Sequence, residues 1–312
     1  MDNLIASVQV VLPLMLLMGI GKLAAMGKVL TSELIRGVNR LLFSVFLPAT
    51  VFRQIYNLDL SQDLDLKLIL FSLVSISLIT AGSILIVPRL EKDPARAGSI
   101  AQSLFRGNFI LFGLALCEAV YGEKALAVTT LVVSFINPLT NAMGVACFDL
   151  VKAGDVRWSV TLRKVLTTPT IIATFAALFF VFTGIRLPKM LLDVAQQVGR
   201  VSTPLALIAL GGTFTVRSFV NDKKTILTVT FLKMFLFPAI VLTAAALLGF
   251  RNEKLVAVFA MISVPVASSA FPVASAMGGD VELAAELQIS TAVTTVFSVF
   301  LIVFVLKTLM LI

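Results

Sequence analysis

The sequence contains no histidine. That removes the commonest zinc ligand, the side chain best suited to general-base work at neutral pH, and every His-dependent nucleophile triad. Cysteine is almost as scarce: Cys117 and Cys147 each fall inside an apolar stretch, with no CxxC pair and no metal-ligand spacing. A hydrolase, a metalloenzyme or a resident metal or cofactor is therefore not expected. Charge is short as well, at 13% of 312 residues against about a quarter in soluble domains. No GxxxxGK(S/T) phosphate loop occurs, which leaves an ATP-driven pump encoded in this chain unsupported. No basic run interleaved with aromatics occurs either, so the net charge of +8 does not read as a nucleic-acid footprint.

What the chain has instead is apolar residues, 59% of the total. A soluble core of this size cannot hide that much apolar side chain, so lipid must be part of the solvent. A bilayer-spanning helix needs about 20 apolar residues. Stretches of that kind predict helices near 4–25, 33–55, 66–87, 98–121 and 124–149, then near 165–183, 190–215, 223–249, 252–278 and 281–310. The expected fold is an all-α polytopic membrane protein of about ten spans, with its longest polar connection over Val151–Lys164. The first stretch carries Asp2 rather than a basic leader and is long enough to span, so it is expected to be retained rather than cleaved.

Basic residues are distributed unevenly between alternate loops. One side holds 14 (Lys22, Lys28 and Arg36 among them), the other 8, and Arg106, Arg200 and Lys233 lie inside expected spans. The positive-inside bias places the first loop in the cytoplasm and both termini outside a cell (inner or plasma) membrane. Five spans per half make the second half enter from the opposite face, an inverted repeat of 1–151 and 165–312. Ala119-Val-Tyr-Gly122-Glu123 and Ala276-Met-Gly-Gly279-Asp280 support it at an offset of 157 (Gly122 to Gly279), which sets Asn108 against Pro265 and Ala115 against Pro272. Pro48 and Pro204 are central prolines in the second span of each half.

Two spans are interrupted at their middle. The fourth reads Gln102-Ser-Leu-Phe-Arg106-Gly107-Asn108 with Gly113 following, and the ninth reads Ser263-Val-Pro265-Val-Ala-Ser268-Ser269-Ala-Phe-Pro272. Proline in a helix interior removes a hydrogen bond and costs about 3 kcal/mol. Backbone freed at bilayer depth is tolerated only where protein or water satisfies it again. Paired interruptions in corresponding spans point to a transport site, and each restarted helix offers an N-terminus that favours anions. Gly107, Gly113, Pro265 and Pro272 are the candidate helix-break residues. The candidate substrate contacts are Arg106, Asn108, Asn137, Asn141, Ser268 and Ser269.

Arg106 is costly at the bilayer centre, about 2.5–3.5 kcal/mol even on translocon scales. Glu118 on the same span is too far to pair with it, so an acid from another helix, a carbonyl cluster or a substrate carboxylate must meet it. The guanidinium fork suits a carboxylate. Lys233, just before Phe237-Pro238, either snorkels to the membrane face or supplies a cation that balances or replaces a coupling ion. Glu118 reads more readily as a solvated carboxylate near the membrane face than as a proton relay. Asn137-Pro138 and Asn141 share one helix face and suit either interhelical hydrogen bonding or substrate contact. The Gly19–Gly21, Gly211-Gly212 and Gly278-Gly279 groups read as close helix packing or turns.

Gln102…Phe105-Arg106-Gly107-Asn108…Gly113…Tyr121-Gly122, Asn137-Pro138, Lys233…Pro238 and Pro265…Ser269…Pro272 together resemble the auxin efflux carrier family, and more closely its short prokaryotic members. The resemblance covers essentially the whole chain. It implies a 5+5 inverted repeat with crossed broken helices 4 and 9. It also implies a scaffold (1–55 plus 165–215) and a transport subdomain (66–149 plus 223–310). The family carries organic acids: auxin in plants, malate- or malonate-like dicarboxylates proposed for bacterial members. Asn108, Asn137 and Asn141 match positions expected near the substrate carboxylate. Plant carriers have a proline-flanked Asn at the first crossover and a long cytoplasmic loop. Arg-Gly-Asn and a short loop here suit a more highly charged substrate. The partners expected are a small organic acid, the lipid bilayer, a coupling proton or sodium ion, and a second copy in a homodimer. A sodium-coupled bile-acid-type symporter and a receptor that binds the acid without moving it are the alternatives.

Overall fold

The computed structural model describes residues 2–57, 65–151, 163, 166–213 and 222–312. Among these the chain is helical throughout, with one isolated backbone bridge and no strand. In chain order the helices are α1 (Asp2–Met26), α2 (Ser32–Leu41), α3 (Leu47–Tyr56), α4 (Leu66–Leu90), α5 (Pro94–Phe105), α6 (Leu114–Tyr121) and α7 (Glu123–Leu150). They continue as α8 (Pro169–Thr183), α9 (Lys189–Thr213), α10 (Lys223–Phe231), α11 (Phe237–Leu247), α12 (Asn252–Ile262), α13 (Ala270–Met277) and α14 (Val281–Thr308). π turns at Leu42–Phe46 and Leu232–Leu236 join α2 to α3 and α10 to α11 without interruption, and a third at Phe109–Gly113 leads into α6.

Among the described residues, five helical runs are long and apolar enough to cross a membrane: Ser32–Arg53, Leu66–Leu90, Lys124–Leu150, Lys223–Leu247 and Val281–Thr308. On α4 the usual order of a soluble helix is reversed. Ser72, Ser75, Thr80 and Ser83 are buried while Leu70, Val74, Leu78 and Leu85 are exposed. An outward apolar face is stable only against lipid, and small hydroxyl side chains inside let helices approach closely. The chain is a multi-pass membrane protein.

Local chemistry explains where the helices start. Thr31, Asp65, Asp93 and Asp280 cap α2, α4, α5 and α14 by accepting from the N–H of Leu34, Leu68, Ala95 and Leu283. Asp93-Pro94 is a cap followed by a proline already set for the first helical position, so the fourth span begins at 94 rather than near 98. The 151–164 connection lies almost entirely outside the described residues, as does the 214–221 stretch that the expected span near 190–215 ran into.

Helix boundaries recur at a nearly constant interval. Ends at 26 and 183 and starts at 32 and 189 are each 157 residues apart; so are starts at 66 and 223, ends at 90 and 247, and ends at 105 and 262. The caps recur too: Asp65 before α4 has its counterpart in Asp222 before α10. Each of the two pairs with a cation in the first turn of another helix. Asp65 meets Lys254 of α12 at 2.6 Å, and Asp222 meets Arg96 of α5 at 2.5 Å. Arg96 also meets Glu91 at 3.1 Å and Asp280 at 3.2 Å, tying four helix ends together.

Lys254 and the Leu68 N–H hold the Asp65 carboxyl below its ordinary range. A lowered carboxyl contributes stability that is full above the unfolded-state value and is lost as pH falls through the folded one. Both side chains are partly solvated, so Asp65→Asn is expected to cost only about 0.2–1 kcal/mol at neutral pH. The difference from the unaltered chain should vanish in acid, as read by thermal unfolding in detergent across pH 7 to 3. A deficit that persists unchanged at pH 3 would assign the loss to the N-cap instead.

α1 and α9 cross at backbone contact. A Cβ on Gly21 would strike the backbone of Ile208, and one on Gly211 would strike that of Met18. These two glycines are close-packing residues as expected, whereas Gly19 faces open space.

Candidate functional site

The chain leaves the helix at Arg106, and again between Ser263 and Ser269. The two interruptions meet. Gly107 bridges Val266 in antiparallel fashion, and the Asn108 N–H donates to the Pro265 carbonyl at 2.9 Å. The Val266 N–H is satisfied by the Thr291 hydroxyl of α14 at 3.1 Å. Backbone freed inside the bundle is thus paired by protein, as the hydrocarbon environment requires. Crossing this closely needs small residues: a Cβ on Gly113 would sit 2.7 Å from the Ala260 carbonyl oxygen, and one on Gly107 would sit 2.5 Å from Phe109 and Val264 side-chain atoms. Pro265 lies within the second interruption, while Pro272 falls in the first turn of α13, where proline costs a helix little.

Beside the crossing lies a cavity of about 570 Å³. Of the sequence candidates, Arg106, Gly107, Asn108, Asn137, Asn141, Ser268 and Ser269 line it. The structure brings these together from α5–α6, α7 and α12–α13. Lys233 is not among them; Gly113, Pro265 and Pro272 shape the crossing rather than the wall. Glu118 falls in α6, and its side chain lies outside the described residues.

Arg106 is 3% exposed. Its Nη2 donates to Asn141 Oδ1 at 3.0 Å and to Ser269 Oγ at 2.7 Å, and its Nη1 to Gln102 Oε1 at 3.4 Å. Gln102 in turn donates to the Ala270 carbonyl at 3.1 Å. Every one of these partners is neutral, and no carboxylate among the described residues pairs with the guanidinium. Among the described residues the cavity wall carries three arginines, Arg53, Arg106 and Arg200, and no aspartate or glutamate. Buried charge without a counter-charge is expensive, and an anion is the chemistry that would offset it. The Asn108 and Ser268 side chains line the same wall and make no protein hydrogen bond among the described residues. Helix restarts at Asn108–Phe109 and Ser268–Ser269 add N-terminal dipole ends of the same sign.

Lys233 is buried in the π turn, and its Nζ donates to the Leu104 carbonyl at 3.2 Å. It does not snorkel. It meets the carbonyl end of α5, where the helix dipole is negative.

Sequence reasoning missed two groups. Gly144 follows Asn137 and Asn141 on the same α7 face, and a Cβ there would lie 2.6 Å from Arg106 Cδ and 2.9 Å from Nη1. The spacing of 137, 141 and 144 was the available signal. The lining residues from α3 and α9 (Thr50, Arg53 and Asn57 of α3 and the residue following it, Gln196, Gly199 and Arg200 of α9) gave none, because nothing local marks which face of an unbroken helix turns to a cavity.

A sequence profile of the family described as membrane transport protein matches residues 6–147 and 156–303. No curated protein matches the chain.

Proposed function

Because the chain belongs to the membrane transport protein family, the auxin efflux carrier family that its motifs resemble, we propose that it is a secondary carrier for a small organic anion. The observation that carries this reading is Arg106: a buried guanidinium with only neutral partners, on the wall of a cavity with no carboxylate among the described residues. The family is one of transporters rather than enzymes.

The proposed architecture is ten spans as two inverted halves of five, with crossed broken helices at α5–α6 and α12–α13. The constant spacing of helix boundaries and the matched Asp65 and Asp222 pairs support it. The cavity is lined by residues of α3 and α9 as well as by the crossing and α7. A scaffold and a transport subdomain divided between these two sets of helices would alternate access as one moves against the other. Substrate carboxylate would take the fork of Arg106 with the Asn108 amide and Ser268 hydroxyl completing its shell. Lys233 serves charge balance at the carbonyl end of α5. The basic-residue bias places both termini outside the cytoplasm.

The test is uptake of labelled malate, malonate and indole-3-acetate into proteoliposomes, with and without imposed pH and sodium gradients. Saturable uptake of at least one acid is expected, and whichever gradient accelerates it identifies the coupling ion. Binding of an acid with no uptake under any gradient would make the chain a receptor.

A further inference from the structure

Arg53 lines the same cavity as Arg106, from α3 rather than from the helix crossing. On α3, Phe52 and Tyr56 stack at 5.8 Å and pack on Phe180, and the Tyr56 hydroxyl accepts from the Leu187 N–H at 2.9 Å. That side of the helix is anchored to α8, which turns Thr50, Arg53 and Asn57 toward α9 and the cavity. α3 and α9 touch closely there: the Thr50 hydroxyl donates to the Gly199 carbonyl at 3.0 Å, and a Cβ on Gly199 would sit 3.2 Å from Thr50 Cα.

Arg53 is half-buried, and its partners are again neutral. Nη1 donates to the Asn57 amide and Nη2 to Gln196 Oε1 at 3.3 Å, while Nε is buried with no partner. Two guanidinium groups thus line one cavity from different helices. Each is held by amides and hydroxyls that orient it without neutralising it. Arg200, exposed one turn beyond Gln196, adds charge of the same sign. A monoanion on Arg106 would leave the Arg53 side of the cavity uncompensated.

We propose that Arg53 is a specificity-determining residue contributed by α3: the transported acid spans the cavity, with one anionic group on Arg106 and a second on Arg53. This rests on the anion-carrier reading. It adds that recognition is divided between guanidinium groups on different helices, so that a substrate with both charges bridges them and one with a single charge does not.

The probes are succinate and its monoamide, succinamate, which match in size and differ by one charge. Both are titrated into the full-length chain in detergent, unaltered and as Arg53→Gln, Arg53→Lys and Arg106→Gln. The unaltered chain is expected to prefer succinate by about tenfold or more, the worth of one charge-assisted hydrogen bond. Arg53→Gln should collapse that preference toward unity, and Arg53→Lys should retain part of it. Equal loss for both probes in Arg53→Gln, or an unchanged preference, would overturn the proposal. Failure of the underlying reading looks different: there neither acid binds the unaltered chain, or Arg106→Gln leaves both affinities intact. Loss of all binding in Arg106→Gln with no change of preference in Arg53→Gln would sink this inference alone.

Discussion

Arg106→Gln is expected to weaken anion binding by about 2–5 kcal/mol, roughly 30- to 4,000-fold in Kd, while the empty protein becomes no less stable. The two halves of that expectation come from the same geometry. In the empty site the guanidinium is removed from water and faced only by Asn141, Ser269 and Gln102. Those bonds offset part of its desolvation, but no opposite charge does. Glutamine keeps hydrogen-bonding capacity at the position and drops the uncompensated charge, so thermal stability of the ligand-free chain should hold or rise. An Arg106 whose role is structural predicts the reverse: a lower unfolding temperature and little change in ligand affinity. Stability traded against function is common at such sites.

Gly144→Ala should have the next largest effect, and it acts on a residue that touches no substrate. A methyl group at 144 would lie 2.6 Å from Arg106 Cδ, 2.9 Å from Nη1 and 3.0 Å from Nε. The obstacle is the mobile end of a long side chain rather than backbone, so the helix does not have to shift; the guanidinium does. Moving it pulls Nη2 away from Asn141 and Ser269, which set its orientation. Losing the alignment of one charged hydrogen bond costs about 1.5–3 kcal/mol, or roughly 10- to 150-fold in affinity. Alanine in place of glycine within α7 should meanwhile gain up to about 1 kcal/mol in helix propensity. Weaker binding from a protein at least as stable is the expected pattern, read by ligand titration and thermal unfolding on the same preparation. Unaltered affinity would mean that the orientation of Arg106 does not matter to the ligand.

These two positions show what the sequence discloses and what it withholds. Membrane class, the main helical stretches and the two interruptions were legible because each has a local cause: apolar length, Asp93-Pro94 as a start, Arg106-Gly107-Asn108 and Pro265 as breaks. The spacing of 157 residues was visible at Gly122 and Gly279 and proved to govern helix boundaries along the chain. It also set Asn108 against Pro265, the two residues whose backbones bond at the crossing. Arg106 was singled out by its cost, but two of its three partners, Asn141 on α7 and Ser269 just before α13, lie far along the chain and no local pattern names them. Lys233 had two readings that depend on which neighbour receives its ammonium, and only the position of Leu104 sets the snorkelling one aside. Gly144 and Arg53 matter through what lies beside them in space. A glycine makes room, and an arginine on an unbroken helix becomes a site residue only when the cavity it lines is known.

The most direct test of the central claim is a paired measurement on the unaltered chain and Arg106→Gln: the affinity for succinate, and the unfolding temperature without ligand. The account predicts an affinity lower by at least about 30-fold together with an unfolding temperature that is unchanged or higher. Unchanged affinity with a lower unfolding temperature would contradict it, and would make Arg106 a strut of the helix crossing rather than the anion site of a carrier.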